Sequence, residues 1–347
     1  TPLVYNKIIK YSIMGYEMKK TILSIFLCFI LFITLFQSDW VSSHINTDDI
    51  SNEVNQKIEQ YIEQNSTKKS DTFIEKTADK KNNSDLSIVS GECQIHFFNV
   101  GQADATLIIC NDKAMLIDAG SNDQGTYVQN YLQKLNITDL EYVIGTHPDE
   151  DHYGGLDVII TKFNCKKVLL SPFYKDTATV RDVYSALKYK SIEPTEIIVG
   201  NTYSLGDASF EILGPAQEYD NANDSSICIK LSHGSNTFLF MGDATEVAEA
   251  DILASGIDLH ADVYKVSHHG SYTSSSEALL QAVKPTYAVI SCGENNSYGH
   301  PHAGPLNRMR QMGIQLYRTD EQGTVIVTSD GNSLTWNCSP SDTWQAG

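Results

Sequence analysis

The sequence predicts an α/β domain of two β-sheets with helices on the outside, preceded by an N-terminal extension. Short β-type runs recur through residues 91–338, the early ones at hairpin spacing, and from about residue 153 helical stretches interleave with them. The runs are QIHFFNV (94–100), ATLIIC (105–110), AMLIDAG (114–120), YVIGTH (142–147), KVLLS (167–171), EIIVG (196–200), SFEILG (209–214), SICIKLS (226–232), TFLFMGD (237–243), DVYKVSHH (262–269), YAVISCG (287–293) and TVIVTSD (324–330). The helical stretches are TATVRDVYSALKYK (177–190), EVAEADILAS (246–255), SEALLQAV (276–283) and GPLNRMRQM (304–312). A chain of 347 residues is one large or two ordinary domains. With 41% hydrophobic and 20% charged residues it has the material for a packed core, which excludes wholesale disorder.

Charge divides the chain. Residues 1–37 carry a net +3, residues 38–90 a net −4, and residues 91–347 a net −17 from 15 basic and 32 acidic side chains. The acidity therefore belongs to the folded part. It argues against a generic nucleic-acid surface, whose affinity comes from Lys and Arg releasing counterions.

Residues 21–36 (TILSIFLCFILFITLF) hold no charge and follow Lys19 and Lys20, with Val41-Ser42-Ser43 behind them. This pattern predicts a signal peptide or membrane anchor within 1–43, with Met18 as a start and 1–17 as upstream sequence. Cys28 lies inside the apolar run, which does not indicate a lipid anchor. Residues 44–90 are polar, with no sustained apolar face, and read as a flexible linker. The expectation is an exported protein, secreted or membrane-anchored, with residues 91–347 as the working domain outside the cytoplasm. None of the seven cysteines sits in a CxxC pair. Cys110, Cys228 and Cys292 read as core residues, and Cys93 and Cys338, which bracket the domain, as the pair that could form a disulfide.

The chemistry collects where strands end. YVIGT runs into His147-Pro148-Asp149-Glu150-Asp151-His152-Tyr153-Gly154-Gly155, so that four metal-ligating side chains lie within six residues. An acidic surface turn would account for Asp149, Glu150 and Asp151, but not for a His at each end. A loop leaving a strand can aim alternating side chains at one point, as a metal site requires. Asp243, the pair His268-His269, and Asp118 likewise terminate apolar runs. Singly, an Asp in such a place is more often a turn former.

In this order, these pieces resemble the metallo-β-lactamase superfamily. His147-x-Asp149-x-Asp151-His152 is similar to its HxHxDH signature with Asp149 in place of the second His. FFNVGQADATLI ahead of it, and KVSHHGS and ENNSYGHPH behind, resemble the hydrolase domain of ComEC-type competence proteins and their free-standing exported relatives over roughly 94–330. The resemblance implies a four-layer αββα sandwich with the site at one edge of the two sheets. It implies His147 and Asp149 on one metal, Asp151 and His152 on a second, Asp243 bridging both, and one of His268 and His269 completing the second site. His269 is the favoured ligand, with His268 facing substrate. Asp118 would orient ligands from behind. Two departures stand out. The usual further His ligand is replaced by the Asn223-Asp224-Ser225-Ser226 stretch, so Asn223 or water would fill the gap, with His233 nearby but out of register. The usual DVGQGD reads NVGQAD, with Asp104 retained.

Three carboxylates and three imidazoles suit two Zn²⁺ or Mn²⁺ ions, which acidify a water at neutral pH. Asp151, His268 and His300 are the candidate catalytic side chains. His300, with His302, could protonate a leaving oxygen or contact a phosphate, and equally could pack structurally. One of Ser271, Ser274, Ser275 and Ser276 should cap the helix at 276, and Lys230 and Lys265 read as surface residues of strands. The leading function is hydrolysis of phosphodiester or phosphoester bonds, nuclease-like or on a smaller phosphoester that escapes repulsion by the acidic domain. Hydrolysis of a carboxylic ester, thioester or lactam is the second reading, and a non-catalytic metal-binding interaction module the third. The partners expected are the phosphoester or nucleic-acid substrate and, through an uncleaved N-terminus, a membrane; no protein partner is indicated.

Overall fold

The computed structural model describes residues 91–347. The signal or anchor at 1–43 and the linker at 44–90 lie outside the described residues, and among the described residues no helix is long and apolar enough to cross a membrane.

Two seven-stranded sheets form the body. The first has the order β14-β13-β1-β2-β3-β4-β5 and the second β12-β11-β10-β9-β8-β7-β6. In the first, β1 (Cys93–Phe97), β2 (Thr106–Cys110) and β3 (Lys113–Ile117) form an antiparallel meander, and β4 (Asp139–Gly145) and β5 (Asn164–Leu170) continue parallel to β3. β13 (Val325–Ser329) and β14 (Leu334–Trp336) close its other edge. In the second, β6 (Thr202–Leu205), β7 (Ala208–Gly214), β8 (Cys228–His233) and β9 (Asn236–Phe240) are antiparallel. There β10 (Val263–Lys265), β11 (Tyr287–Ile290) and β12 (Gln315–Arg318) continue parallel to β9.

Three apolar clusters give the layering. Between the sheets lie Ile95, Phe97, Met115, Phe210, Phe238 and Val327 among others, all buried. On the outer face of the first sheet, Leu107, Leu116 and Val143 meet Val128, Leu132, Leu156, Ile160 and Val183 of helices Gly125–Lys134, Leu156–Lys162 and Ala178–Lys190. On the outer face of the second, Leu239, Tyr264 and Ala288 meet helices Glu246–Ala254, Glu277–Val283 and Ala303–Gln311. The central strands alternate between an inter-sheet and a helix-facing side chain, which is why their runs read as continuously apolar. The αββα sandwich expected from the sequence is the fold observed.

Eleven of the twelve sequence runs fall on strands. EIIVG (196–200) does not: Gly200 turns the chain at φ +86°, Ile198 and Val199 are exposed, and only an isolated bridge from Thr195 to Leu169 remains. Helix Gly125–Lys134, ahead of the expected start of helical structure, and strands β6, β12 and β14 are additions. The helix escapes notice because its buried face is narrow, Val128 and Leu132 amid polar residues. The run at 262–269 stops as a strand at Lys265, because His268 and His269 both take left-handed backbone (φ +52°) in a 3₁₀ turn.

The cysteine pairing differs from expectation. Cys93 is bonded to Cys110, not to Cys338. The antiparallel register of β1 on β2 sets Cys93 directly opposite Cys110, with Cα atoms 4.1 Å apart, and the meander makes that pairing local.

Gly155 shows how tightly the loop after β4 is seated. A Cβ at this position would lie 2.3 Å from the Ala119 carbonyl oxygen and 2.7 Å from Cα of Gly125. Gly155→Ala should therefore destabilise the domain by about 1–3 kcal/mol through backbone displacement, read as a lower midpoint in urea; an unchanged midpoint would show that the loop yields freely.

Candidate metal centre

The loops that carry chemistry all emerge at one edge. β3, β4, β9, β10 and β11 run parallel within their sheets, and their carboxyl ends lead to Asp118, His147, Asp243, His269 and Ser291. The antiparallel neighbours β2 and β8 begin at the same edge, which brings Asp104 and Ser226 beside those residues. Ligand sites of open α/β sheets occupy such carboxyl ends.

Asp151, His152, Asp243 and His269 each offer one ligand atom, and these four atoms lie within 4.8 Å of one another. His152 Nε2 is 3.3 Å from Asp243 Oδ1, and His269 Nε2 is 3.2 Å from Asp151 Oδ2 and 3.7 Å from Asp243 Oδ2. His147 Nε2 lies 3.8 Å from Asp243 Oδ2 and 3.9 Å from Asp149 Oδ2. The six side chains named from the sequence are thus brought together, with Asp243 at the centre. His268 is turned to the opening: its Nε2 is 3.6 Å from Asp243, its Nδ1 meets the Thr273 hydroxyl, and it is less buried than His269.

Hydrogen bonds from behind fix which nitrogen each imidazole presents. Asp118 accepts the Thr146 N–H at 2.8 Å, the Thr146 hydroxyl at 2.7 Å and His152 Nδ1–H at 2.8 Å. His269 Nδ1–H donates to the Ser291 carbonyl at 3.0 Å. Both rings therefore turn Nε2 toward carboxylate oxygens, an arrangement that calls for positive charge between them, from a proton on the ring or from a metal ion. The electrostatics make the same demand. Burial alone would depress His152 and His269, yet the surrounding carboxylates, Asp243 foremost, raise both above the ordinary imidazole value, His152 by a wide margin. Burial opposes ionisation of Asp243, and the imidazoles of His152 and His269 hold it well below the carboxylate range regardless. His147 goes the other way: burial, reinforced by His152, pushes it down to about 4, leaving a neutral ring.

Among the described residues six buried side-chain N and O atoms lack a hydrogen-bond partner; His147 Nε2, His152 Nε2 and Asp243 Oδ1 are three of them, and Asp104 Oδ1, beside them, is a fourth. Such atoms are rare and cost about 1–3 kcal/mol each when left bare. Their convergence fits a bound cation, and the mixed nitrogen and oxygen donors fit a divalent one.

Several side chains do other work than the sequence implied. Asn223 contributes its main-chain carbonyl, to the Ser226 N–H. Its neighbours hold the central carboxylate: Ser226 Oγ accepts the Asp243 N–H at 3.1 Å, and Asp224 accepts the N–H and hydroxyl of Thr245 at 3.0 and 2.6 Å. His233 lies at the far end of β8, bonded to Ser329. Asp104 ties the edge together, its N–H donating to the Asp151 carbonyl and its carbonyl accepting from Gly120. Lys265 is not a surface residue. It is buried between the sheets with Nζ 2.9 Å from Asp104 Oδ2, because the strand places it facing inward below His269. Lys230 is also mostly covered and pairs with Asp258. Ser276 is the helix cap, accepting from Leu279, while Ser274 and Ser275 bond the Ala244 carbonyl and the Tyr264 hydroxyl.

Gln102 is a further functional candidate that sequence reasoning passed over, although it stands inside the quoted NVGQAD stretch. Its Oε1 accepts the Gly293 N–H, so its amide donates to His300 Nδ1 at 3.2 Å, leaving His300 with its proton on Nε2. Burial and the neighbouring imidazoles, His269 first, push His300 down to about 4, so it is an uncharged donor at neutral pH. His302 Nδ1 accepts the Tyr272 N–H.

The model of the metallo-beta-lactamase superfamily matches residues 98–294. ComE operon protein 3 of Bacillus subtilis is 27% identical over 256 residues, 68% of this chain and 33% of the relative. Recombination protein 2 of Haemophilus influenzae is 33% identical over 240 residues, 67% of this chain and 28% of that protein. The chain thus spans about a third of the length of these curated relatives. The solved structure of the metallo-beta-lactamase fold protein YhfI from Bacillus subtilis covers 69% of this chain and 100% of its own, at 10% identity and a TM-score of 0.49.

Lys265→Met would leave the Asp104 carboxylate buried without its counter-charge and should lower stability by about 3–5 kcal/mol. The double variant Lys265→Met/Asp104→Leu should recover most of that loss in urea denaturation. Equal stability of the single variant and the parent would show that the pair is solvated.

Proposed function

We propose that this chain, which belongs to the metallo-beta-lactamase superfamily, is a metal-dependent hydrolase of phosphoester bonds, with two divalent ions, Zn²⁺ or Mn²⁺, held by the cluster around Asp243. The observation that carries this reading is the convergence of the unpartnered His147 Nε2, His152 Nε2 and Asp243 Oδ1 on one buried point. His147 and Asp149 would serve one ion, Asp151, His152 and His269 the other, and Asp243 both. Such ions supply Lewis acidity to a phosphoryl oxygen and a water ionised at neutral pH.

The chain's own groups do the rest. Asp118, Thr146 and the Ser291 carbonyl hold the imidazoles in the tautomer that leaves Nε2 bare. Ser226 and Asp224 set the height of the Asp243 loop. Asp151 is the most exposed carboxylate of the four-residue cluster and is placed to orient an entering water. His300, held by Gln102, presents Nε2–H to a phosphoryl or leaving oxygen, and His268 faces the same opening. No nucleophilic side chain is required. A phosphoester is favoured over a lactam because the donor set is rich in carboxylates and lacks the usual third imidazole on the first ion. The competence relatives make a nucleic-acid phosphodiester one candidate substrate, and the N-terminal run at 21–36 makes export the favoured location.

Protein loaded with Mn²⁺ or Zn²⁺ should cleave bis(p-nitrophenyl) phosphate faster than p-nitrophenyl acetate or a lactam, and chelation should abolish turnover. Asp243→Ala should remove both activity and bound metal, by elemental analysis. Metal-replete protein inert toward every ester would instead identify a binding module, and full activity in Asp243→Ala would refute the bridging role.

A further inference from the structure

Resting on the phosphoester reading, one side chain outside the ligand set stands out. Among the described residues two basic side chains pair with carboxylates at this edge: Lys265 with Asp104 and Lys175 with Asp149. Lys265 is sealed between the sheets. Lys175 is not: its side chain is 46% exposed, and Nζ lies 2.5 Å from Asp149 Oδ1. The other oxygen of that carboxylate faces His147 Nε2. One carboxylate therefore separates the ammonium from the cluster.

We infer that Lys175 forms an anion subsite at the mouth of the centre, binding a non-reacting phosphoryl oxygen of the substrate. An ammonium has three donors, and among the described residues Asp149 is the one hydrogen-bond partner of Nζ. The remaining donors are left for solvent or a ligand, on a side chain that is one carboxylate away from His147 Nε2. An exposed ion pair contributes little to stability, so Asp149 does not account for a lysine here on energetic grounds. The supporting loop is anchored on both sides. The Phe173 N–H donates to Ser171 Oγ, the Thr177 N–H to the Lys175 carbonyl, and the Tyr174 ring packs edge-on against Tyr184. The backbone that carries the lysine is thus fixed, and the ion pair with Asp149 aims its ammonium at the centre, which lowers the ordering cost of binding. The electrostatic case is strongest in this protein. In a domain of net −17, an anionic substrate meets repulsion almost everywhere, and a cation at the opening supplies local attraction. The subsite selects for a substrate carrying a negative oxygen next to the scissile bond, and against neutral carboxylic esters.

The test uses the metal-loaded full chain and inorganic phosphate as the probe, with affinity measured by calorimetry and metal content by elemental analysis. Lys175→Gln should keep its metal and weaken phosphate binding about tenfold, the size of one charge-assisted hydrogen bond. Lys175→Arg should restore most of the affinity. Equal phosphate affinity in parent and Lys175→Gln overturns the subsite. So does loss of metal in Lys175→Gln, which would make the lysine a strut for Asp149. Because phosphate binding needs no turnover, a metal-loaded parent that binds phosphate through Lys175 yet cleaves no phosphoester would refute the hydrolase reading and leave the subsite standing.

Discussion

Buried carboxylates and imidazoles crowd one point, and the positive charge they require between them is the constraint around which the site is arranged. Asp151 and Asp243 sit within bonding reach of His152 and His269, whose other nitrogens are already committed to Asp118 and to the Ser291 carbonyl. Bulk water does not screen these charges, since His147, His152 and Asp243 are almost wholly covered. A divalent ion would supply that charge, and the hydrogen bonds behind the rings are the same ones that would make Nε2 a better donor to it. The strong titration shifts of His152 and Asp243 are two expressions of that single demand for positive charge.

Topology makes the convergence available. Parallel pairing sends β3, β4, β9, β10 and β11 toward one edge, so five loops from two sheets share it. Close approach then does the fine positioning. Gly154 and Gly155 let the loop after β4 press on the backbone at 119–122, where any side chain would collide. The Lys265–Asp104 pair crosses the seam between the sheets just beneath. A buried ion pair is seldom more stabilising than an apolar one. Here it links β10, which leads to His269, with a residue whose main chain bonds Asp151, so it couples the two halves of the ligand set.

The acidity of the domain bears on what can reach this edge. A surface with twice as many acidic as basic side chains disfavours long polyanions. Attraction would have to come from cations held at the candidate centre and from positive side chains beside it. This charge balance distinguishes the chain from proteins that gather nucleic acid over a broad basic face.

Sequence alone determined the layers and pointed to the candidate ligands. Apolar runs of strand length, broken by amphipathic stretches, specified two sheets with outer helices, because period and length are local properties. The dense His147–His152 loop, with Asp118, Asp243 and His269 after apolar runs, named the donors through a family resemblance. What escaped was whatever depends on register or on partners distant in the chain. Cys93 pairs with Cys110 because β1 and β2 align in that register. Lys265 faces inward because the opposite sheet brings Asp104 to it across 161 positions. Ser226 and Asp224 come to support the Asp243 loop, since β8 begins beside the end of β9. A sequence records what each side chain can do; which nitrogen of His300 keeps its proton, or which carboxylate meets Lys175, is decided only when packing selects the neighbour.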